Sequence, residues 1–194
     1  EGGGSIYTFT LENGIWGLQQ KLTPPGDGGG LFGLNVALQG NTLVVGDYFA
    51  GDTGAAYIYE KENDTWVLQQ TLTSDIFAGS ALFGAGISID GTTLAVGAWR
   101  DDTIVENGGS VFVYELENGT WVEKQKLTSA GMSVRDFGTP IALDGDTMFI
   151  GSGDPNTVDL NKVHVFSRQN GIWSETQLLA NEENVDNEFT GGFA

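Results

Sequence analysis

Residues 83–128 read FGAGISIDGTTLAVGAWRDDTIVENGGSVFVYELENGTWVEKQKLT. The rest of the chain consists of imperfect copies of this stretch. Its Phe-Gly opening recurs at intervals of 51 and 54 residues, at Phe32, Phe83 and Phe137, and a degenerate copy begins at Phe189. Near the end of each copy stands a tryptophan, followed by Gln four positions later and by Leu six positions later. The tryptophans are Trp16, Trp66, Trp121 and Trp173. A period in this range predicts a solenoid, a propeller or an array.

The composition favours a β protein and excludes several classes of function. Thirty glycines among 194 residues, with many β-branched and aromatic residues, are typical of short strands joined by tight turns. A formal net charge of -18 disfavours nucleic acid as a partner, because phosphate binding needs a basic surface. No cysteine is present, and no apolar stretch approaches the roughly 20 residues of a transmembrane helix. Because the sequence starts without Met, we expect it to be part of a longer, processed protein.

Each copy is predicted to form four short antiparallel strands in a meander. Asp90-Gly91 joins the first pair of strands and Asn118-Gly119 the second pair, and both dipeptides are strong hairpin signals. The third strand alternates aliphatic and aromatic residues, so both faces of each sheet are apolar and need a cover. Neighbouring sheets stacked as blades around an axis provide one. The predicted strands of the second copy are Phe83–Ile89, Thr93–Gly97, Ser110–Glu115 and Trp121–Leu127.

The repeats divide the chain into about three and a half blades. We predict a partial blade and its link at 1–31, blades at 32–82, 83–136 and 137–188, and the start of another blade at 189–194. Propellers have about four to eight blades, so this chain alone does not close a large ring. Three arrangements stay open: further blades outside this sequence, which we favour, two chains closing one ring, or an open array.

The repeat pattern FGxxVAL-x-G-x-TLVVG, GxVYVF and GxW-x3-Q-x-L resembles the FG-GAP repeat family, which includes bacterial and algal surface proteins and, more distantly, the head of integrin α chains. The resemblance implies an all-β propeller, seven-bladed in the integrin relatives, with the Phe-Gly strand innermost and an extracellular or cell-surface location. Only the first glycine of the Gly-Ala-Pro box is kept, as Gly46, Gly97 and Gly151. Tight turns replace the integrin-type calcium loop, so calcium at that place is not carried over.

The long, variable loops should share one face of the propeller, because alternate connections of a meander lie at the same edge. Variable loops on a rigid scaffold are where binding usually resides. Aromatic and charged residues on this face suit a glycan ligand or a protein ligand, as in adhesion. Alternatively, Trp99 and Tyr48 plug the mouth of the channel and the acids are solvated. The candidate ligand-binding residues are Tyr48, Phe49, Phe77, Trp99, Arg100 and Asp101.

Two groups of oxygen-bearing residues are candidates for a bound calcium ion, which takes six to eight oxygen ligands. One group is Asp101, Asp102 and Glu106, and the other is Asp154, Asn156 and Asp159. Neither follows the Asp-x-Asp-x-Asp-Gly pattern. Asn63 and Asn118 lie in Asn-x-Thr sequons and would carry N-glycans in a secreted eukaryotic protein, or else are ordinary turn residues.

Enzyme chemistry is poorly supported, and we expect a protein that is not an enzyme. His164 is the single histidine and stands where the sister copies have Tyr7, Tyr57 and Phe112, so we interpret it as a packing residue. The predicted function is therefore a binding or adhesion module. The alternatives are a structural subunit of a surface filament or coat that associates with itself, and a polysaccharide-acting enzyme that uses paired carboxylates.

Overall fold

A computed structural model describes residues 3–26, 30–75, 81–104, 107–129, 136–153 and 162–180. Within these residues all regular secondary structure is β-strand, arranged in one two-stranded sheet and three four-stranded sheets. Each four-stranded sheet is a meander of strands in chain order, as predicted. The architecture is that of a partial β-propeller with blade-like sheets. No helix in the described part of the chain is long and apolar enough to cross a membrane.

The strands follow the repeat. The first sheet contains β1 (Ile6–Glu12) and β2 (Ile15–Leu22). The second contains β3 (Val36–Gln39), β4 (Thr42–Asp47), β5 (Ala55–Glu62) and β6 (Thr65–Thr73). The third contains β7 (Phe83–Asp90), β8 (Thr93–Ala98), β9 (Ser110–Glu117) and β10 (Thr120–Leu127). The fourth contains β11 (Ile141–Asp144), β12 (Thr147–Ser152), β13 (Lys162–Gln169) and β14 (Ile172–Ala180).

The predicted hairpin turns are confirmed by their backbone angles. In the turn between β9 and β10, Asn118 and Gly119 have φ values of 50° and 82°. Two consecutive residues with positive φ match the right-handed twist of the flanking strands, which is why Asn-Gly recurs there. The turn between β7 and β8 has one such residue, Gly91, at 58°.

The prediction that Phe-Gly opens the first strand is correct only for β7. In the other two blades Phe32 and Phe137 precede the strand, which begins at Val36 or Ile141. The physical reason is the glycine, because Gly33 and Gly138 have φ values of 89° and 118°, outside the range of a strand. In β7 the same break is accommodated as an irregularity of pairing between Phe83 and Gly86.

The hydrophobic core lies between the sheets. One buried cluster joins Ile58 of the second sheet to Phe83 and Tyr114 of the third. Another joins Val113 of the third sheet to Phe137 and other residues of the fourth. Each inner sheet therefore buries both of its faces, which explains the aliphatic and aromatic alternation of the third strands.

A β-bulge occurs at the same place in all four sheets, one residue before the repeated glutamine. In the second sheet Ile58 pairs with Gln70 and Tyr59 with Leu68, which leaves Gln69 as the extra residue. The extra residues of the other sheets are Gln19, Lys124 and Thr176. Because side chains alternate along a strand, the extra residue turns everything after it to the other face. The tryptophan thus faces the preceding sheet and the glutamine faces the following one.

The repeated glutamine joins each sheet to the next through two hydrogen bonds. The Gln70 side-chain amide donates to the backbone carbonyl of Trp121 at 2.9 Å, and the Trp121 backbone N–H donates to Gln70 Oε1 at 2.9 Å. We call this paired contact the Gln–Trp clamp. It recurs between Gln20 and Trp66 and between Gln125 and Trp173. The repeated glutamine and tryptophan therefore hold neighbouring blades together by hydrogen bonds.

The glycines of the repeat mark the places where neighbouring sheets touch through their backbones. A Cβ atom on Gly97 would lie 1.9 Å from the backbone oxygen of Gly138, in the next blade. On Gly46 it would lie 2.1 Å from the backbone oxygen of Gly84. Any side chain at these positions would push the blades apart, because real Cβ atoms do not approach other atoms so closely.

Candidate functional site

The meander topology places the connections β4–β5, β8–β9 and β12–β13 at the same edge of their sheets as the links between blades. We call this edge the long-loop face. The short turns between the first and second strands and between the third and fourth lie at the opposite edge. The predicted ligand-binding residues therefore belong to the long-loop face, although Phe77 lies outside the described residues.

Two loops of the long-loop face, β4–β5 and β8–β9, are fixed to the next blade. Gly54 forms a parallel bridge with Phe83, and the Phe83 backbone N–H donates to the Thr53 carbonyl at 2.9 Å. Gly109 and Phe137 form the same bridge one blade further on. A Cβ atom on Gly109 would lie 2.1 Å from the Phe137 oxygen, so glycine is needed there. Loops held in this way present their side chains with little conformational freedom to lose on binding.

Two aromatic side chains of the loop after β4 form a pair. The rings of Tyr48 and Phe49 are 4.8 Å apart, and the Phe49 side chain is 47% exposed. The Phe49 backbone N–H donates to Oδ1 of Asp47 at 3.3 Å. Asp47 itself is fully buried at the end of β4, so it is not the exposed acid that its place beside the loop suggests. It fixes the base of the loop.

The loop after β8 carries a cation–π pair. The guanidinium of Arg100 lies 5.0 Å from the centre of the Trp99 ring, with Arg100 exposed and Trp99 half-buried. Stacking of this kind holds the guanidinium in place while leaving its edge open to hydrogen-bond acceptors. Together with Phe49, the pair gives the long-loop face exposed apolar surface and a directed cation.

Asp101 is held inside the protein rather than presented to a ligand. Its carboxylate lies 2.6 Å from Nζ of Lys126 and accepts a hydrogen bond from the Thr103 backbone N–H at 2.9 Å. Burial alone would raise the pKa of Asp101, but hydrogen bonds from Lys126, Ser110 and Thr103 outweigh it and hold the pKa below its usual value. The ion pair fastens the loop to β10. An exposed role for Asp101 in binding finds no support in this geometry.

The calcium groups are only partly described. Glu106, Asp154, Asn156 and Asp159 lie outside the described residues. Asp102 is exposed, and its Oδ1 accepts a hydrogen bond from the Asn107 backbone N–H at 2.5 Å. Among the residues that the structure describes, no group of three or more His, Asp or Glu side chains is arranged to hold a metal ion. Calcium binding stays a prediction.

The two sequon asparagines lie on the tight turns opposite the long-loop face. Asn63 and Asn118 have φ values of 46° and 50° and are exposed. These angles account for asparagine as a turn residue, and the exposure leaves the side-chain amides accessible. Glycosylation stays a prediction.

The sequence analysis missed a pair of linked hydrogen bonds between polar side chains of the fourth sheet. The Ser152 hydroxyl lies 2.8 Å from Nε2 of His164, and His164 Nδ1 lies 2.9 Å from Oε1 of Glu175. The order matches that of a Ser-His-acid triad, in which the carboxylate orients the ring and the ring accepts the serine proton. Here Ser152 and His164 are both buried, and the centroids of the Phe137 and His164 rings are 5.0 Å apart with the rings nearly perpendicular. The sister sheets have Asp47 and Tyr57, or Ala98 and Phe112, at these places.

A comparison of equivalent positions in the sister sheets gives the sequence signal that could have revealed these buried hydrogen bonds. Serine and histidine replace their sister residues together, on strands that pair directly. Burial, the largest effect, lowers the pKa of His164, while Glu175 opposes it. The imidazole is therefore neutral near pH 7, and Glu175 fixes the tautomer whose Nε2 accepts from Ser152. The arrangement satisfies buried polar groups in a core position.

Comparison of the sequence with models of known protein families identifies a repeat. The sequence pattern of the family described as FG-GAP repeat matches residues 16–59 and 66–114. The first match runs from Trp16 to Tyr59 and the second from Trp66 to Tyr114, so each extends from the last strand of one sheet to the third strand of the next. No curated protein sequence matches the chain.

Proposed function

The chain belongs to the FG-GAP repeat family, and we propose that it serves as a binding module of an extracellular or cell-surface protein, with the long-loop face recognising a glycan. The proposal assigns the module no catalytic step. It rests on one observation above others: the exposed Phe49 ring and the Trp99–Arg100 pair stand on loops that the next blade fixes in place.

The charge of the protein narrows the class of glycan. A net charge of -18 repels polyanions at moderate ionic strength. Aromatic faces stack on the apolar faces of sugar rings, and the Arg100 guanidinium donates hydrogen bonds to sugar hydroxyls. We therefore propose a neutral polysaccharide as the ligand.

The proposal is tested by calorimetric titration with a neutral β-glucan, a xylan and a mannan, with dextran sulfate as the anionic comparison. We expect binding to at least one neutral polymer and none to dextran sulfate. Phe49→Ala and Arg100→Ala should each weaken binding about tenfold, the loss typical of an anchoring side chain.

Ile172→Ala provides the matched control, because Ile172 is an exposed apolar residue at the opposite edge of its sheet. It should leave the affinity unchanged. Failure of every neutral polymer to bind would contradict glycan recognition and leave a protein ligand as the candidate for the same rings. Equal losses in all three variants would place the binding site elsewhere.

A further inference from the structure

The first sheet leaves one apolar face uncovered. In the ladder between β1 and β2, Phe9 pairs with Leu18 and Leu11 with Trp16, which places these four side chains on the face opposite Gln20. Tyr7 precedes Phe9 by two residues and shares that face. We call these five residues the N-terminal face. Each is at least half exposed, and together they expose on the order of several hundred Å², a patch size that marks interaction sites.

The equivalent side chains of the other three sheets are buried. Trp16 is 66% exposed, whereas Trp66, Trp121 and Trp173 are 7%, 5% and 3% exposed. Phe9 is 52% exposed, whereas Tyr59, Tyr114 and Phe166 are 3–4% exposed. The difference is the preceding sheet, which covers these positions at each of the three internal junctions. The N-terminal face is thus one half of a junction.

The last sheet presents the other half. Leu179 is 41% exposed, whereas Leu22, Leu72 and Leu127 are 7%, 6% and 3% exposed. Gln177 is exposed and faces no tryptophan within the described residues, although Gln20, Gln70 and Gln125 each clamp one. Val165 lies opposite Gln177 and is likewise more exposed than Ile58 and Val113. We call Val165, Gln177 and Leu179 the C-terminal face.

We infer that the C-terminal face of one copy docks on the N-terminal face of a second copy, with the Gln177 side chain clamping the Trp16 backbone. The three internal junctions supply the template, because each joins the same two kinds of face through the same pair of hydrogen bonds. The surface is distinct from the long-loop face. The contact is head-to-tail, so successive copies form a ring when the rotation closes and a filament when it does not.

Charge opposes this association and gives it a recognisable dependence on salt. Two copies that each carry a net charge of -18 repel one another, and added salt screens the repulsion. The apolar contact and the backbone clamp are much less sensitive to salt. Association should therefore strengthen as ionic strength rises.

Sedimentation velocity over a wide concentration range, at about 0.1 M and about 0.5 M salt, tests the inference. The wild-type chain should form dimers and larger species, more so at the higher salt. Gln177→Ala should weaken the contact about tenfold, as expected for two lost hydrogen bonds. Ile104→Glu, which places a charge on an exposed apolar side chain of the loop after β8, should leave the association unchanged.

Two double variants show whether the contact is head-to-tail. Phe9→Glu with Leu18→Glu disables the N-terminal face, and Gln177→Ala with Leu179→Glu disables the C-terminal face. All four residues are exposed, so both variants should fold with the circular dichroism of the wild type. Each alone should stay monomeric, and their mixture should give a dimer and nothing larger, since one intact pair of faces remains. A wild-type chain that stays monomeric at both salt concentrations, or variants that do not complement each other, would overturn the inference.

Discussion

His164 and Ser152 show how a single slot of the repeat can exchange apolar for polar packing. The third strands place Tyr57, Phe112 or His164 against the phenylalanine of the Phe-Gly pair. Where the slot holds histidine, its two ring nitrogens need partners, and Ser152 and Glu175 provide them. A buried polar group without partners would cost about 1–3 kcal/mol, so the three residues are coupled.

The lowered pKa of His164 predicts a loss of stability in mild acid. Burial, the main cause, keeps the pKa in the folded protein below the ordinary value of 6.5. Below pH 6.5 the unfolded chain binds a proton that the folded chain does not, so the stability present above 6.5 falls as the pH falls. Urea unfolding on both sides of pH 6.5 measures this loss.

The matched control is Ser152→Ala with His164→Phe, which recreates the Ala98 and Phe112 pair of the third sheet. This double variant should fold with a stability within about 1 kcal/mol of the wild type near neutral pH and should lose less stability on acidification. If both proteins respond to pH alike, His164 is not the group responsible.

Gly97 is expected to tolerate no side chain. Gly97→Ala places a Cβ atom 1.9 Å from the Gly138 oxygen, and the backbones on both sides are held by strand pairing. We expect a loss of about 3 kcal/mol in the free energy of unfolding, measured with urea.

Gly17→Ala is the control for this change. Gly17 also lies within a strand, but its Cβ would meet only the Thr10 oxygen, at 4.0 Å. Alanine there should be neutral or slightly stabilising, because it reduces the freedom of the unfolded chain. A similar loss in both variants would show that strand propensity, rather than contact between blades, decides the result.

At the scale of the strand, the bulge before each glutamine decides which neighbouring sheet the glutamine side chain contacts. Insertion of one alanine after Gln69, with the bulge kept at one residue, would turn Gln70 and Leu72 to the face of Trp66, removing both the clamp and a buried leucine from the junction with the third sheet. We expect the free energy of unfolding to fall by about 4 kcal/mol or more, from about 1 kcal/mol for each hydrogen bond and the rest for the leucine.

Gln69→Ala keeps the bulge and removes only an exposed hydrogen bond to Glu62, so it should change stability by less than about 0.5 kcal/mol. Gln70→Ala should fall between the two, since it removes the clamp and keeps the leucine. Urea unfolding of the three variants checks this order. An insertion no worse than Gln69→Ala would mean that the one-residue bulge does not decide which sheet Gln70 faces.

The strands and turns of the repeat could be predicted because alternation and Asn-Gly or Asp-Gly turns are local signals. The face of the sheet on which the Gln70 side chain lies could not be predicted in the same way. It stands four residues after Trp66, an even number, so regular alternation would place both on one side. The bulge residues Gln19, Gln69, Lys124 and Thr176 share no residue type that would reveal them.

For the candidate site, the sequence predicted which loops carry it but not which of their side chains are exposed. The exposed ring of Phe49 and the Trp99–Arg100 pair lie on connections that the repeat identifies as long and variable. The burial of Asp47 and Asp101 could not be predicted, because the partner that holds Asp101, Lys126, stands 25 residues further along the chain. In a sequence with 26 acidic residues, nothing local separates a structural carboxylate from a solvated one.

At the scale of the whole molecule, the main contacts between the described strands of different sheets join successive sheets, as in other repeat proteins. The three clusters of buried residues each lie between successive sheets, and each junction carries one clamp. The number of blades in a closed ring is therefore set by all the junctions together. It depends on small rotations that every junction contributes.

The Gln–Trp clamp binds backbone atoms of the tryptophan and none of its side chain. These two hydrogen bonds place no demand on the side chain of the residue that they bind. The same pair of hydrogen bonds therefore joins blades whose other residues differ, as at the three junctions of this chain. One connector serves every described junction, while the loops at the edges of the blades differ in sequence.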